Sequence, residues 1–503
     1  MFKGLIRAAA PLSLFLAAPL AAQAPAPVTP ADLLRHISVL ASDEFQGRAP
    51  GTEGERRTTA YIVDQFRARG LEPAGENGTW FQTLRLATRA PLTATLRWTG
   101  TQPGQLGAGD FVAIGREAHE ALADAPLVFA AHGVRIPDRG IDQLAGANVQ
   151  GAVVLILNDG PSVEGFPPIG ERVRAVATAG AAAVLVVVND ETSIDELRTG
   201  IRRLPPRPDG PGTPRVLGFV RMAAAQRLIA GAGGDLNRLL NEQPGSSFRA
   251  VTLPGPASME TTTNVSRTET SNVIGRLRGS GTTGENVMLL AHWDHLGLCR
   301  PAGAPDRICN GAVDNASGVA ALIEIAGQLS RGDRPVRDVL FMATTAEEVG
   351  LVGAGWFADH PTVPLASILA AINMDTIAIA PAGTPVAIMP SNTPGLNALA
   401  ASTVIAAGRQ LDPDDEAAEL VRRQDGWALA RHGVPTLMIG GSFSNMELLG
   451  NFLEHGRYHS PDDQADSHLV LDGAAEDVNL TVALVRRLAD PTQYQRPQQR
   501  PAL

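Results

Sequence analysis

The stretch Asn-Val-Met-Leu-Leu-Ala-His-Trp-Asp-His, residues 286–295, is the clearest indication of the fold class of this chain. Its apolar run has the length of a buried strand, and ionisable residues follow at the point where that strand would end. Similar apolar runs alternate with helical patterns up to residue 488. This alternation favours a three-layer α/β/α sandwich with a mixed, largely parallel central sheet. The predicted strands are 272–277, 286–291, 338–344, 368–374, 386–389 and 436–439, and the predicted helices are 316–329, 350–358, 395–408, 425–432 and 474–488.

The first half of the chain predicts a main domain that is interrupted by an insert. Helical spacing of apolar residues indicates helices at 31–42 and 55–70. The sequence pattern changes near residue 105, where short apolar runs typical of strands are separated by Gly/Pro-rich segments. The length of 503 residues also exceeds one ordinary domain. The predicted division is a main domain of 31–104 and 256–490, which contains the motifs described below, an inserted small α/β domain of 105–255 and a flexible C-terminal tail of 491–503.

The N-terminal residues predict an export signal over residues 1–24. Lys3 and Arg7 precede an apolar run, and Ala22-Gln23-Ala24 supplies a small-x-small cleavage pattern. The alternative is a membrane anchor, but the apolar run is shorter than the ~20 residues that span a bilayer. We therefore expect a periplasmic or secreted protein with no stable membrane anchor after signal cleavage.

The net charge and the cysteine content limit the possible binding partners and the cellular compartment. The formal net charge of -10 argues against a nucleic-acid partner, because phosphate binding needs a basic surface. Cys299 and Cys309 are the two cysteines of the chain. Export places them in an oxidising compartment, which favours a disulfide over two free or metal-binding thiols.

Ionisable residues collect where the predicted strands end. His292 and Asp294 follow one strand, Glu347 and Glu348 a second, and Asp375 a third, while Asp314 precedes a helix. The carboxyl ends of parallel strands meet at one sheet edge, and gathering charges there is costly unless something pairs with them. Two divalent metal ions would do so, because imidazole and carboxylate are zinc ligands. Taken singly, each residue has an ordinary explanation: a packed histidine, a helix cap for Asp314, and a helix start for Glu347 and Glu348.

Five ordered segments resemble the M28 family of zinc-dependent aminopeptidases. They are Ala291-His-Trp-Asp-His-Leu-Gly297, Gly311-Ala-Val-Asp-Asn-Ala-Ser-Gly318, Thr345-Ala-Glu-Glu-Val-Gly350, Asn373-Met-Asp375 and Tyr458-His-Ser-Pro-Asp-Asp463. The stretch Leu40-Ala-Ser-Asp-Glu-Phe-Gln-Gly-Arg48 is similar to the family's N-terminal segment. The resemblance extends over about 34–488 and implies a zinc-exopeptidase fold. Residues 125–133, 150–156 and 179–184 are similar to a protease-associated domain, the kind of insert thought to shape substrate access.

The resemblance implies a role for each matching residue. His292 and Asp375 would bind one zinc ion, Glu348 and His459 the other, and Asp314 would bridge the two. Glu347 would be the general base for a metal-bound water, Asp294 would orient His292, and Tyr458 would donate its hydroxyl to the oxyanion. The implied activity is removal of N-terminal residues from peptide substrates by an enzyme with two Zn²⁺ ions per chain.

Two departures from the family pattern leave alternatives open. Val313 stands where many relatives carry an acid, but that position is not a ligand. In the segment Arg423-Gln-Asp-Gly-Trp427, Gln424 and Gly426 differ from the family, which puts substrate preference in doubt. Arg423 is either a substrate contact or a surface arginine. A carboxypeptidase, a glutaminyl cyclase and a non-catalytic binding protein on the same scaffold are the competing interpretations.

Overall fold

The computed structural model describes residues 25–136, 139–160, 166–210, 212–241, 248–391, 393–414, 416–454 and 456–496. The predicted signal peptide lies outside these residues. So does residue 497 onward of the predicted tail, whereas Tyr494 is buried against the main hydrophobic core. Within the described residues, no helix combines the length and apolar character that crossing a membrane requires.

The main sheet is mixed, as predicted, with four parallel strands at its centre. Its order is Arg207–Pro208, Phe81–Trp98, Ala257–Leu277, Asp338–Thr344, Asn286–His292, Ile368–Asn373, Thr436–Gly440 and Ala387–Met389. The strands from Asp338–Thr344 to Thr436–Gly440 are parallel, and those outside them are antiparallel. Glu72–Pro73, Gly104–Leu106 and His119–Ala125 pair with the two long strands off this path.

Successive side chains of the central strands point to opposite faces of the sheet, and helices cover both faces, which gives three layers. Leu289 points into the larger core, which contains buried residues of helices Pro30–Leu40, Glu53–Ala68, Ser317–Ser330, Pro394–Ala406 and Leu471–Leu488. Its neighbours Met288 and Leu290 point into a second core with Phe357 and Leu429, from helices Val352–Asp359 and Gly426–Ala430. A strand buried on both faces needs the continuous apolar run that the sequence has. A further helix, Met446–Glu454, was not predicted.

A second sheet lies within residues 111–252. Its order is Val251–Thr252, Leu127–Phe129, Val153–Leu157, Ala183–Val188, Val216–Arg221 and Phe111–Gly115, with helices Ile169–Thr178, Ile194–Arg202, Met222–Gly231 and Leu236–Asn241. Two hydrophobic clusters cover its two faces. A sheet with helices therefore lies inside the segment predicted as an inserted small α/β domain. The domain division at 104/105 and 255/256 stays a prediction, since two strands of that segment, His119–Ala125 and Arg207–Pro208, pair with strands of the main sheet.

Two short hairpins lie outside these two sheets. Gly297–Leu298 pairs with Ile308–Cys309, and Arg135–Ile136 pairs with Ile141–Asp142. The first hairpin begins at Gly297, the last residue of the segment 291–297. A disulfide between Cys299 and Cys309 closes it, as favoured from the sequence.

Candidate metal centre

The predicted site residues meet at the carboxyl edge of the parallel strands. His292 ends one central strand, Asp375 lies two residues beyond the next, and Glu347 and Glu348 follow a third. Asp314 lies ahead of helix Ser317–Ser330. Parallel strands deliver these residues to one place because their ends are in register across the sheet.

Asp314 lies between two groups of side chains. Its Oδ1 is 3.2 Å from His292 Nε2, and that same nitrogen is 3.6 Å from Asp375 Oδ2. Its other oxygen, Oδ2, is 3.4 Å from His459 Nε2, which is 2.9 Å from Glu348 Oε2. One buried carboxylate therefore faces an imidazole–carboxylate pair on each side.

Negative charge dominates the site. Burial lowers the pKa of His292, but the carboxylates of Asp375 and Glu347 outweigh it and hold the pKa well above its ordinary value. Burial likewise lowers the pKa of His459, while Asp314 and Glu348 raise it, with a net rise to about 9. Burial raises the pKa of Asp314, yet its contacts with the two histidines bring it below the ordinary range. The arrangement strongly favours a cation between these groups.

The donor atoms suit a divalent transition metal. Among the described residues, three groups have one donor atom per residue within 4.8 Å of one another: His292, Asp314 and Asp375; His292, Glu347 and Glu348; and His295, Asp314 and Glu348. Mixed imidazole nitrogen and carboxylate oxygen suit zinc rather than calcium or magnesium, which prefer oxygen alone. The residues present therefore fit the zinc ions that the sequence predicted.

The sequence predicted that the Asp294 side chain orients His292, but in the structure that side chain contacts Glu347. The carboxylate Oδ1 of Asp294 lies 4.0 Å from His292 Nδ1, whereas the backbone carbonyl of Asp294 is 3.1 Å from that nitrogen. The Asp294 carboxylate instead accepts the backbone N–H of Glu347 at 3.1 Å. The side chain of Asp294 thus fixes the Glu347 loop, and its main chain contacts His292. Burial raises the pKa of Asp294 to about 7.

The Glu347 carboxylate remains close to the centre without joining a ligand pair. Its Oε2 is 4.0 Å from His292 Nε2, and its side chain is 14% exposed. Burial raises the pKa of Glu347 well above its ordinary value, and nearby acids including Asp425 and Asp375 add to the rise. A carboxylate with a raised pKa beside a cation site can accept and return a proton.

Tyr458 packs against a proposed ligand, whereas Arg423 is exposed on the surface. The Tyr458 ring stacks on His459, with ring centroids 3.7 Å apart, and packs against Phe452 on its other side. Burial, then the charges of Asp314 and Glu348, raise the pKa of Tyr458, so its hydroxyl stays a proton donor at neutral pH. Arg423 is exposed, and Gln424 is occupied by its own turn, accepting the Gly426 N–H at 2.7 Å.

Three buried residues support the centre although sequence reasoning gave them no role. His295 Nδ1 lies 2.5 Å from Glu348 Oε1, and its side chain is fully buried. Asp463 accepts the backbone N–H groups of Val313 and Asp314 at 2.9 and 3.0 Å. Asp425 accepts the Thr344 hydroxyl, and burial raises its pKa to about 6. His295 and Asp463 lie inside the motif segments 291–297 and 458–463, and that position was a sequence signal that could have identified them. Their burial beside the proposed ligands is visible only in the structure.

Comparison with known proteins identifies the segment that carries these residues. Residues 272–484 match the family described as Peptidase family M28. The chain is 25% identical over 370 residues to "Probable glutamate carboxypeptidase AMP1" of Arabidopsis thaliana, covering 65% of this chain and 48% of that protein. It is 24% identical over 356 residues to "Probable lipoprotein aminopeptidase LpqL" of Mycobacterium tuberculosis, covering 69% and 58%.

The chain therefore spans about half the length of these curated relatives. Among solved structures, the aminopeptidase from Aneurinibacillus sp. strain AM-1 aligns over 91% of this chain and 93% of its own, with 16% sequence identity and a TM-score of 0.45.

Proposed function

Since residues 272–484 of this chain belong to peptidase family M28, we propose that the protein is a di-zinc metallopeptidase that removes N-terminal residues from peptides. The observation that carries this proposal is the position of Asp314 between two imidazole–carboxylate pairs. A single carboxylate with one oxygen toward each pair is the arrangement that two adjacent metal ions require.

The proposed ligands divide as the sequence expectation had them. His292 and Asp375 would hold one ion, His459 and Glu348 would hold the second, and Asp314 would be shared between them. When bound, the two ions supply Lewis acidity, which lowers the pKa of a coordinated water and polarises the substrate carbonyl. His295 keeps one oxygen of Glu348 engaged, which leaves the other oxygen directed at His459.

Proton transfer falls to Glu347. Its carboxylate lies at the edge of the centre, and Asp294 holds its backbone in place. Glu347 accepts the proton of the attacking water and returns it to the leaving nitrogen, so the leaving group departs as a neutral amine and not as an amide anion. Tyr458, held by stacking on His459, donates its hydroxyl to the developing oxyanion.

Carboxypeptidase activity is the second candidate. It is favoured by the relative named a probable glutamate carboxypeptidase, whereas the other relative is named a probable aminopeptidase. The two activities differ in which charged terminus of the substrate lies near the metals. The aminopeptidase is placed first because the five motif segments resemble aminopeptidases of this family.

We further propose that the protein is exported and that the segment of the second sheet shapes access to the centre. The Cys299–Cys309 disulfide supports an oxidising compartment. Arg207, which lies between the second sheet's strands in sequence, donates a hydrogen bond to the carbonyl of Val349, the residue after Glu348. This contact ties the predicted inserted segment to the loop that carries Glu347.

The test combines metal analysis with a substrate scan. Purified protein is expected to bind two zinc equivalents and to cleave aminoacyl-nitroanilides, and a chelator should abolish cleavage until zinc is restored. Peptides blocked at the amino terminus or at the carboxyl terminus then separate the two exopeptidase activities. Absence of stoichiometric zinc binding would sink the metallopeptidase proposal, and cleavage only of amino-blocked peptides would replace the aminopeptidase by a carboxypeptidase.

A further inference from the structure

The N-terminal segment Asp43–Arg48 is wedged against the loops of the metal centre. Gly47 adopts φ +64, and a Cβ at that position would lie 2.4 Å from the carbonyl oxygen of Cys309 and 2.8 Å from the Cα of Gly297. This close approach requires glycine at position 47. Because Gly47 packs against Gly297 and Cys309, the next residue, Arg48, lies beneath the hairpin that the disulfide closes.

Arg48 is buried, with 1% of its surface exposed, and its guanidinium binds four backbone carbonyls. Nε donates to Trp293 O at 2.8 Å, and Nη2 donates to Gly311 O at 2.8 Å. Nη1 donates to Leu40 O at 2.8 Å and to Asn310 O at 2.5 Å. The planar fork of arginine suits several acceptors at fixed angles, which a lysine ammonium cannot match.

The bound carbonyls belong to the two loops that present metal ligands. Trp293 directly follows His292, and Gly311 lies three residues before Asp314. No backbone pairing within the short hairpin joins these two points, because Gly297 and Cys309 are its outermost partners. The guanidinium is therefore a direct link between the loop that carries His292 and the loop that carries Asp314.

Arg48 also brings positive charge beneath the carboxylates. Burial lowers the pKa of Arg48 to about 10, and Asp463, Asp314, Asp294 and Glu348 oppose that decrease. The side chain therefore stays protonated at neutral pH. A fixed cation offsets part of the repulsion among the acids that must gather before metal binds.

We propose that Arg48 is a positioning residue for the metal centre, which sets the separation of His292 and Asp314 by clamping the carbonyls of Trp293 and Gly311. This inference rests on the metal ligands proposed above. It assigns a task to the segment Leu40–Arg48, which the proposed reaction does not otherwise use. Arg48 acts through the two loops and touches neither substrate nor the reacting atoms.

The test replaces Arg48 by lysine and uses a matched control elsewhere in the full chain. Arg172 is also buried, and it also donates four hydrogen bonds to backbone carbonyls, those of Pro167, His132, Leu157 and Asn158. It lies in the second-sheet segment, away from the proposed ligands. R48K and R172K therefore make the same chemical change at two similar sites, and only one of them adjoins the metal loops.

Zinc affinity is measured by competition with a chelator, and the melting temperature is measured on metal-free protein. Both variants are expected to lower the melting temperature. R48K should also weaken zinc binding by about tenfold or more, the range seen when a group supporting a metal ligand is lost. R172K should bind zinc within about twofold of the parent, since its site does not adjoin the metal loops.

The outcomes separate this inference from the proposed function. If the parent protein binds no zinc, the metallopeptidase proposal fails first. If the parent binds zinc and R48K binds it equally well, only the role of Arg48 is overturned. If R48K does not fold, R48A refolded with millimolar guanidinium replaces it, with methylammonium as the charge-matched comparison. Zinc uptake restored by guanidinium alone supports the clamp, and parent-like uptake without guanidinium, or none with it, refutes the clamp.

Discussion

Glu347 and Glu348 are adjacent glutamates for which the structure predicts opposite consequences of the same substitution. The Glu347 carboxylate stands 4.0 Å from His292 Nε2 and outside both ligand pairs. The Glu348 carboxylate is held by His295 at 2.5 Å and lies 2.9 Å from His459. Changing either glutamate to glutamine removes one charge and leaves the size of the side chain unchanged. E347Q is expected to lose turnover and keep zinc, whereas E348Q is expected to lose zinc.

The magnitudes follow from these contacts. Loss of a positioned general base costs about 10²–10⁴ in rate, which is ~3–5.5 kcal/mol in the activation barrier. Glu348 is a proposed metal ligand, so its loss should cost more than the about 10–100-fold that follows when a group supporting a ligand is lost. The zinc dissociation constant of E348Q should therefore rise by about 100-fold or more.

The assay is turnover of an aminoacyl-nitroanilide together with zinc content on the same preparations. The parent protein and E348Q bracket the range of zinc content against which E347Q is judged. The reasoning is refuted if E347Q retains turnover within about tenfold of the parent, since a general base contributes more than that. It is equally refuted if E347Q loses as much zinc as E348Q.

Three further outcomes are expected. Replacing Cys299 and Cys309 together by serine should lower the free energy of unfolding by about 2.5–3 kcal/mol, from a sequence separation of 10, and an unchanged denaturant midpoint would contradict this. Replacing His295 by asparagine should weaken zinc binding by about 10–100-fold in chelator competition, because Glu348 loses the partner that orients it, whereas parent-like affinity would remove that role. Burial raises the pKa of Asp477 to about 7, above its unfolded value of 3.8, so its contribution to stability is greatest below pH 4 and is lost as pH rises toward 7. In urea unfolding, D477N should gain about 2–3 kcal/mol relative to the parent between pH 5 and pH 8, and parallel pH profiles would show that the group does not titrate as predicted.

The central strands and the helices around them could be predicted because their patterns are local. The strand at Asp338–Thr344 matches its prediction at both ends, since a buried parallel strand needs an unbroken apolar run. The long strand Phe81–Trp98 was not predicted, and only the last six residues of Ala257–Leu277 were. Phe81–Trp98 mixes threonine and arginine with leucine and alanine, and Ala257–Leu277 is rich in threonine and serine. Both become strands by pairing with each other over most of their length. Such pairing depends on a partner more than 150 residues away, which no local window contains.

Local patterns in the sequence indicate four of the five candidate metal ligands, because His292, Glu348 and Asp375 follow predicted strands and Asp314 precedes a predicted helix. The fifth, His459, comes only from the resemblance of its segment to the family. How these residues divide their work depends on the tertiary structure. It brings His459 to Asp314 across 145 positions of chain and turns the two oxygens of Asp314 toward different partners. It also gives the Asp294 carboxylate to the Glu347 loop and places Arg48 beneath the two ligand loops. Distances and hydrogen-bond partners of this kind depend on how separate segments pack, and the pattern within any one segment cannot specify them.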